Sequence, residues 1–282
     1  MSQSKEELEK VSQPETVFHS AIDQWWRAKE KNKSNGTTSQ GGSRDTNLAG
    51  DTMDGFRDTL VNLLIAEAGV DPADIFTGGQ FSSRASNLPS YFRASKNWDV
   101  VVCKRAFMQQ LERGGYDGSE KLVAAIEFKS QYESIGNNQN NRIEESIGNA
   151  EDFWASYENN NFSRLIPRPW LGYLFVGYYA EGDETKTVRI KQPVIPTDPA
   201  FLVGGEVHRL QGVQVQGHSY AERYRIFLER MIAKKRYDGA CFLVSHEDIR
   251  SATVNYRVLF PTLSGAAFVD GLVRHVRAYY PD

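Results

Sequence analysis

KLVAAIEFK, residues 121–129, is the stretch on which the architecture turns. An unbroken apolar run from Leu122 to Ile126 leads straight into Glu127-Phe128-Lys129, which is the pattern of a strand buried on both faces and charged where it emerges. WDVVVC (98–103) is a second short run rich in β-branched residues, and Gly114-Gly115 and Asp117-Gly118 between the two are turn signals. The two runs therefore read as neighbouring strands. Working outward, Ile143, Ile147, Ala150, Phe153, Trp154 and Tyr157 recur every three or four positions and predict a helix over 142–158. WLGYLFVGYY (170–179) and ACFLVS (240–245) are further buried strands. Helices are predicted over 54–68, ended by Gly69, over 219–236, and over 264–279. The order α-β-β-α-β-α-β-α specifies an α/β fold, a mixed β-sheet flanked by α-helices.

Upstream, Ser12-Gln-Pro-Glu15 has capping-box form and precedes Phe18, Ala21, Ile22, Trp25 and Trp26 at helical spacing. That helix gives way to a Gly/Ser/Thr/Asn-rich tract over 31–50, read as a flexible hinge. The expected organisation is thus an N-terminal helix plus flexible tract (1–50) and one α/β domain (51–282). Residues 181–217 are polar and Gly/Pro-containing, and read as loops or a small subdomain.

Apolar residues are 40% of the chain and aromatics 12%, which excludes wholesale disorder. No apolar run approaches the roughly 18–20 residues of a membrane helix, and the start is polar, so no membrane association and a cytoplasmic location are expected. Cys103 and Cys241 each sit inside an apolar strand and read as buried thiols. The net charge of −3 does not advertise nucleic-acid binding, so any basic surface must be local.

Asp99, on the first strand, and Glu127 with Lys129, on the second, form the constellation that carries chemistry. Residues two apart on a strand share a face, so Glu127 and Lys129 project together and Asp99 can join them. Two carboxylates are hard oxygen ligands for Mg²⁺, which also takes phosphate oxygens, and the lysine serves as a point charge beside a phosphodiester. Spacing alone is weak: the chain has two acidic-x-Lys triplets, about what composition yields by chance. The other, Glu184-Thr185-Lys186, lacks a preceding strand. An ordinary strand end emerging into solvent is the bland alternative.

LPSYFRASKNWDVVV (88–102), AAIEFKSQ (124–131), GNNQNNRIEESIGNAEDFW (136–154), RPWLGYLF (168–175) and YDGACFLVS (237–245) resemble the XhoI-type family of type II restriction endonucleases, within the PD-(D/E)xK nuclease superfamily. The likeness covers roughly residues 54–245. It implies a restriction-endonuclease-like core, catalytic roles for Asp99, Glu127 and Lys129, metal ligation by Asp99 and Glu127, and Mg²⁺ as cofactor. Trp98 stands where the superfamily has proline. The resemblance further implies cleavage of double-stranded DNA at the palindrome CTCGAG with staggered ends, a homodimer, and a cognate DNA methyltransferase. Glu67, on the helix before the sheet, is a fourth candidate, because related nucleases use a glutamate there to assist metal binding; a solvated helix-end glutamate is the other reading. A repair or structure-specific nuclease, or a silent DNA-binding module on the same fold, stays open.

For DNA contact, Asn and Gln pair with adenine edges and Arg with guanine. Asn137, Asn138, Gln139, Asn140, Asn141 and Arg142 offer such groups in a polar loop opening the next helix, and Gln131 follows Lys129 on its strand face. Arg93 and Lys96 belong to a locally basic stretch over 82–113 suited to phosphates, and 219–236 is a basic helix. Trp25-Trp26 is a candidate dimer surface, with core packing the competing reading.

Overall fold

The computed structural model describes residues 15–34, 52–78, 86–132, 135–162, 168–179, 187–188, 207–210, 213–216 and 218–280. Six helices are named here: α1 (His19–Ser34), α2 (Asp54–Ala68), α3 (Arg105–Glu112), α4 (Ile135–Glu158), α5 (Tyr220–Ala233) and α6 (Gly265–Arg277). The strands are β1 (Ile75–Thr77), β2 (Asn87–Pro89), β3 (Ser95–Asn97), β4 (Val100–Cys103), β5 (Leu122–Gln131), β6 (Trp170–Tyr178), β7 (Thr187–Val188), β8 (Val207–Leu210), β9 (Val213–Gln216), β10 (His218–Ser219), β11 (Gly239–Ser245) and β12 (Arg257–Val258). Strands β7 to β10 form two small two-stranded sheets in the segment read as loops or a subdomain.

One six-stranded mixed sheet, ordered β1-β4-β5-β6-β11-β12, carries the fold. β5 runs parallel to β6, and β6 to β11, while β4 lies antiparallel to β5. The parallel pair β5/β6 needs a long crossover, which α4 supplies. The sheet separates two apolar clusters. Along β4, Val100 and Val102 face α1, α2 and α6, while Val101 and Cys103 face the α3, α4 and α5 side. That alternation is the period-two consequence of the pleat.

Local signals bound the helices where expected. Gly69 adopts φ 65° and its N–H returns to the Leu64 carbonyl, closing α2. The Ser219 and Ser264 hydroxyls accept from the N–H groups of Glu222 and Ala267, capping α5 and α6. Glu15 does something the local pattern did not indicate: its Oε1 accepts from the Ala266 N–H at 3.0 Å, a contact with α6 across the fold. Ser12, its expected capping partner, lies outside the described residues, as do residues 35–50 of the expected hinge.

Trp25 and Trp26 are core residues. Both are buried, and the Trp26 Nε1 donates to Ser245 Oγ at 2.9 Å, so this pair presents no dimer surface. Cys103 and Cys241 are free and buried, and burial pushes both thiols well up.

Candidate active site

In register, Val100 opposes Ile126 and Val101 opposes Ala125, which sets Asp99 across from Glu127 at the mouth of the β4/β5 ladder. The Asp99 N–H donates to the Ile126 carbonyl at 3.1 Å, and Asp99 Oδ2 accepts from the Phe128 N–H at 2.6 Å. On β5 the pleat turns Glu127 and Lys129 to the same side, and Lys129 Nζ lies 2.8 Å from Glu127 Oε1. Asp99, Glu127 and Lys129 therefore converge.

Glu127 is only 1% exposed, and a carboxylate so buried is tolerable only with compensating charge and donors. Lys129 is one source of charge. The second is Lys96, on β3, whose Nζ is 3.2 Å from the same Oε1. Asn149, on α4, donates from Nδ2 to Oε1 at 2.8 Å and to Oε2 at 3.0 Å. Burial alone would raise the Glu127 carboxyl, but Lys96 and Lys129 outweigh it and hold the group below its ordinary range. The converse applies to Lys129. Burial would lower it, yet Glu127 raises it, so the ammonium holds its proton beside Glu127. For Asp99, burial is the larger cause and the Glu127 charge adds to it, pushing the carboxyl up to about 6 against the opposing Phe128 N–H.

This donor set fits Mg²⁺. The ion binds through one or two carboxylates and completes its shell with water and substrate phosphate oxygens. Asp99 and Glu127 offer two carboxylates side by side, and burial raises the Asp99 carboxyl despite the nearby Lys129 and Lys96. Among the described residues no group of three or more His, Cys, Asp or Glu is placed to hold a metal ion.

Around these residues lies a support that sequence reasoning missed. β2 and β3 form a hairpin, pairing Asn87 with Asn97 and Pro89 with Ser95, and its tip spans 90–94. Three residues of α4, spaced i, i+3 and i+7 on one face, grip it. Asp152 Oδ1 accepts from the N–H groups of Tyr91 and Phe92, each at 2.8 Å, and Oδ2 accepts from Arg93 Nε at 2.8 Å. Arg93 Nη2 donates to Asn149 Oδ1 at 3.0 Å, and Ser156 Oγ donates to the Pro89 carbonyl at 2.9 Å. Arg93 thus reaches Glu127 through a single amide. The available signal was three polar residues beside the apolar stripe of a predicted helix, but their partners lie about sixty residues away.

Other expected contacts fall differently. α4 begins at Ile135, so the polar run 137–142 is not a loop before the helix but its first two turns. Packing against α5 overrides the low helix propensity of asparagine. A helix distributes successive residues about its axis. Gln139 turns inward, fully buried, and donates to the Tyr220 carbonyl at 2.7 Å. Asn140 accepts from Arg223 at 2.6 Å, Arg142 pairs with Glu145 at 2.9 Å, and Asn141 is exposed. The side chains of Asn137 and Asn138 lie outside the described residues. Gln131 shares the face of Lys129 but is buried, its Oε1 taken by the Tyr224 hydroxyl at 3.0 Å. Glu67 is exposed at the end of α2 rather than on its buried stripe of Phe56, Leu60, Leu64 and Ala68, and no contact joins its carboxylate to Asp99 or Glu127 among the described residues.

Comparison with known proteins bears on this geometry. The family model of restriction endonuclease XhoI matches residues 31–256. Among curated proteins, the chain is 35% identical over 205 residues to the type II restriction enzyme BstVI of Geobacillus stearothermophilus, covering 72% of this chain and 78% of that protein. It is 32% identical over 197 residues to the type II restriction enzyme XhoI of Xanthomonas vasicola, covering 70% and 66%. A third, type II restriction enzyme AbrI of Azospirillum brasilense, is 36% identical over 152 residues, covering 53% and 58%. The second and third alignments span less than two thirds of those relatives. No solved structure matches the chain.

Proposed function

Because the chain belongs to the XhoI restriction endonuclease family, we propose that it is an Mg²⁺-dependent type II endonuclease. Its substrate would be double-stranded DNA, cut at a defined palindrome, CTCGAG by family likeness, to leave staggered ends. The observation that carries this reading is the meeting of Asp99, Glu127 and Lys129 at one end of the β4/β5 ladder.

Asp99 and Glu127 would hold the metal. When bound, Mg²⁺ supplies positive charge to the phosphate and lowers the pKa of water. Glu127 is held in place by Asn149, and Lys129 carries its proton beside the reacting phosphate, where it orients water or an oxygen of the substrate. Lys96 adds a further positive charge beside Glu127, from where it would meet the phosphate at the site itself. Arg93 keeps part of its guanidinium outward, available to the DNA backbone. A palindrome read symmetrically calls for a homodimer, each subunit cutting one strand. Host DNA would then need protection by a cognate methyltransferase, in the cytoplasm. Among the described residues no helix is long and apolar enough to cross a membrane.

The test is digestion of plasmids of known sequence with Mg²⁺, with the fragment ends mapped. Discrete fragments sharing one palindrome are expected, whereas a smear, or a preference for branched DNA, would favour a repair or structure-specific nuclease. Glu127→Ala and Lys129→Ala should lose cleavage by at least a thousandfold while still binding duplex DNA. Undiminished cutting by either would overturn the assignment.

A further inference from the structure

The hairpin tip that Asp152 clamps carries the two most exposed large apolar side chains among the described residues, Tyr91 at 51% and Phe92 at 71%. They are adjacent, with ring centroids 4.9 Å apart at 89°. An exposed turn is ordinarily filled by small polar residues, so a contiguous aromatic pair at a five-residue tip marks a contact surface.

Its backbone is fixed beforehand. The N–H groups of both aromatics end on one Asp152 oxygen, and Arg93 and the Pro89 carbonyl anchor the two sides of the tip to α4. A rigid aromatic pair surrenders little conformational freedom on docking, which is what preorganisation contributes to binding. The position points to the occupant. Arg93, the next residue, is one Asn149 amide away from Glu127, and Lys96 at the base of the same hairpin touches Glu127 directly. The hairpin 87–97 holds Arg93 and Lys96 and no acidic residue; both cations pair with carboxylates of the body, but Arg93 keeps about half of its side chain at the surface beside the aromatic pair, which suits a polyanion and not a second copy of an acidic chain.

We propose that Tyr91 and Phe92 form a wedge that docks against the bases of the DNA duplex beside the cleaved bond, opening or stacking on a base step. The clamp through Asp152, Arg93 and Asn149 fixes the wedge relative to Glu127. Apolar wedges of this kind unstack and bend duplexes, and stacking of one base on one aromatic ring is a substantial share of binding. The inference rests on the endonuclease reading and adds to it the element that grips the bases.

The test uses the full chain and a 30-base-pair duplex spanning a cut site mapped by digestion, with Ca²⁺ replacing Mg²⁺ and 2-aminopurine at the steps flanking the cut. The wild type should brighten 2-aminopurine on binding. Phe92→Ala should bind about tenfold or more weakly, and Tyr91→Ala/Phe92→Ala weaker still, with the fluorescence rise lost and melting unchanged. Phe92→Gln, which puts a polar side chain at this exposed position, reads the same loss of fluorescence should the alanine variant melt early. Binding and fluorescence of the double variant within twofold of wild type would overturn the wedge. So would a changed sedimentation coefficient of the DNA-free protein, because the tip would then be a contact between copies. A wild type that cuts no DNA would fell the endonuclease reading itself, and the wedge with it.

Discussion

Asp99 should weaken the metal-free protein, and removing its charge should strengthen it. Its carboxyl titrates at about 6 rather than 3.8 because it is buried and faces Glu127. Keeping it ionised at pH 8 therefore costs the native state about 3 kcal/mol, at roughly 1.4 kcal/mol per pH unit of displacement. The sign follows from proton counting. Between 3.8 and 6 the native state binds more protons than the unfolded chain, so this group lowers stability as pH rises through that window. The cost is absent below the window and fully present above it. Asp99→Asn removes the charge and retains an oxygen to accept from the Phe128 N–H. In EDTA at pH 8 the variant should be more stable by up to about 3 kcal/mol, roughly 5 °C in Tm for a chain of this length. The assay is urea unfolding of both proteins in EDTA between pH 4 and 8, followed by tryptophan fluorescence and circular dichroism. Groups such as Glu127 and Asp152, whose carboxyls are held low, give an opposite slope but largely cancel in the difference. A variant no more stable than wild type at pH 8, or a difference that does not shrink toward pH 4, would refute the reasoning. Cleavage should be abolished, making this a site that trades stability for function.

Three further outcomes are expected. Asn149→Ala leaves both Glu127 oxygens without the amide and removes the link from Arg93, which stays on Asp152, and should lower cleavage by about 10- to 100-fold, with a raised Mg²⁺ requirement in titrations. Gly172→Ala would place a Cβ 2.2 Å from the Trp170 ring, which the buried strand cannot yield without repacking. It should cost about 1–3 kcal/mol in chemical denaturation while leaving the catalytic groups in place. Ser219→Ala removes the cap that accepts the Glu222 N–H and should cost about 1 kcal/mol, read as a lower urea midpoint.

The order of the main helices and strands, the stop at Gly69, the starts at Ser219 and Ser264, and the shared face of Glu127 and Lys129 were legible in the sequence; α3, β1 to β3 and β12 were not. Each of the legible features depends on periodicity or on capping groups within a few residues. The start of α4 was not, because asparagines that suit a loop were drawn into a helix by its packing on α5. For the same reason Gln131 and Gln139, plausible base readers by residue type, are turned into the interior. What only the tertiary structure decided is the company Glu127 keeps. Lys96 and Asn149 lie 31 and 22 residues from it, on a hairpin and a helix whose approach is set by sheet register and core packing. No local pattern encodes such a meeting. A buried carboxylate nevertheless requires one, since without nearby cations and donors its charge would cost more than the fold can offset.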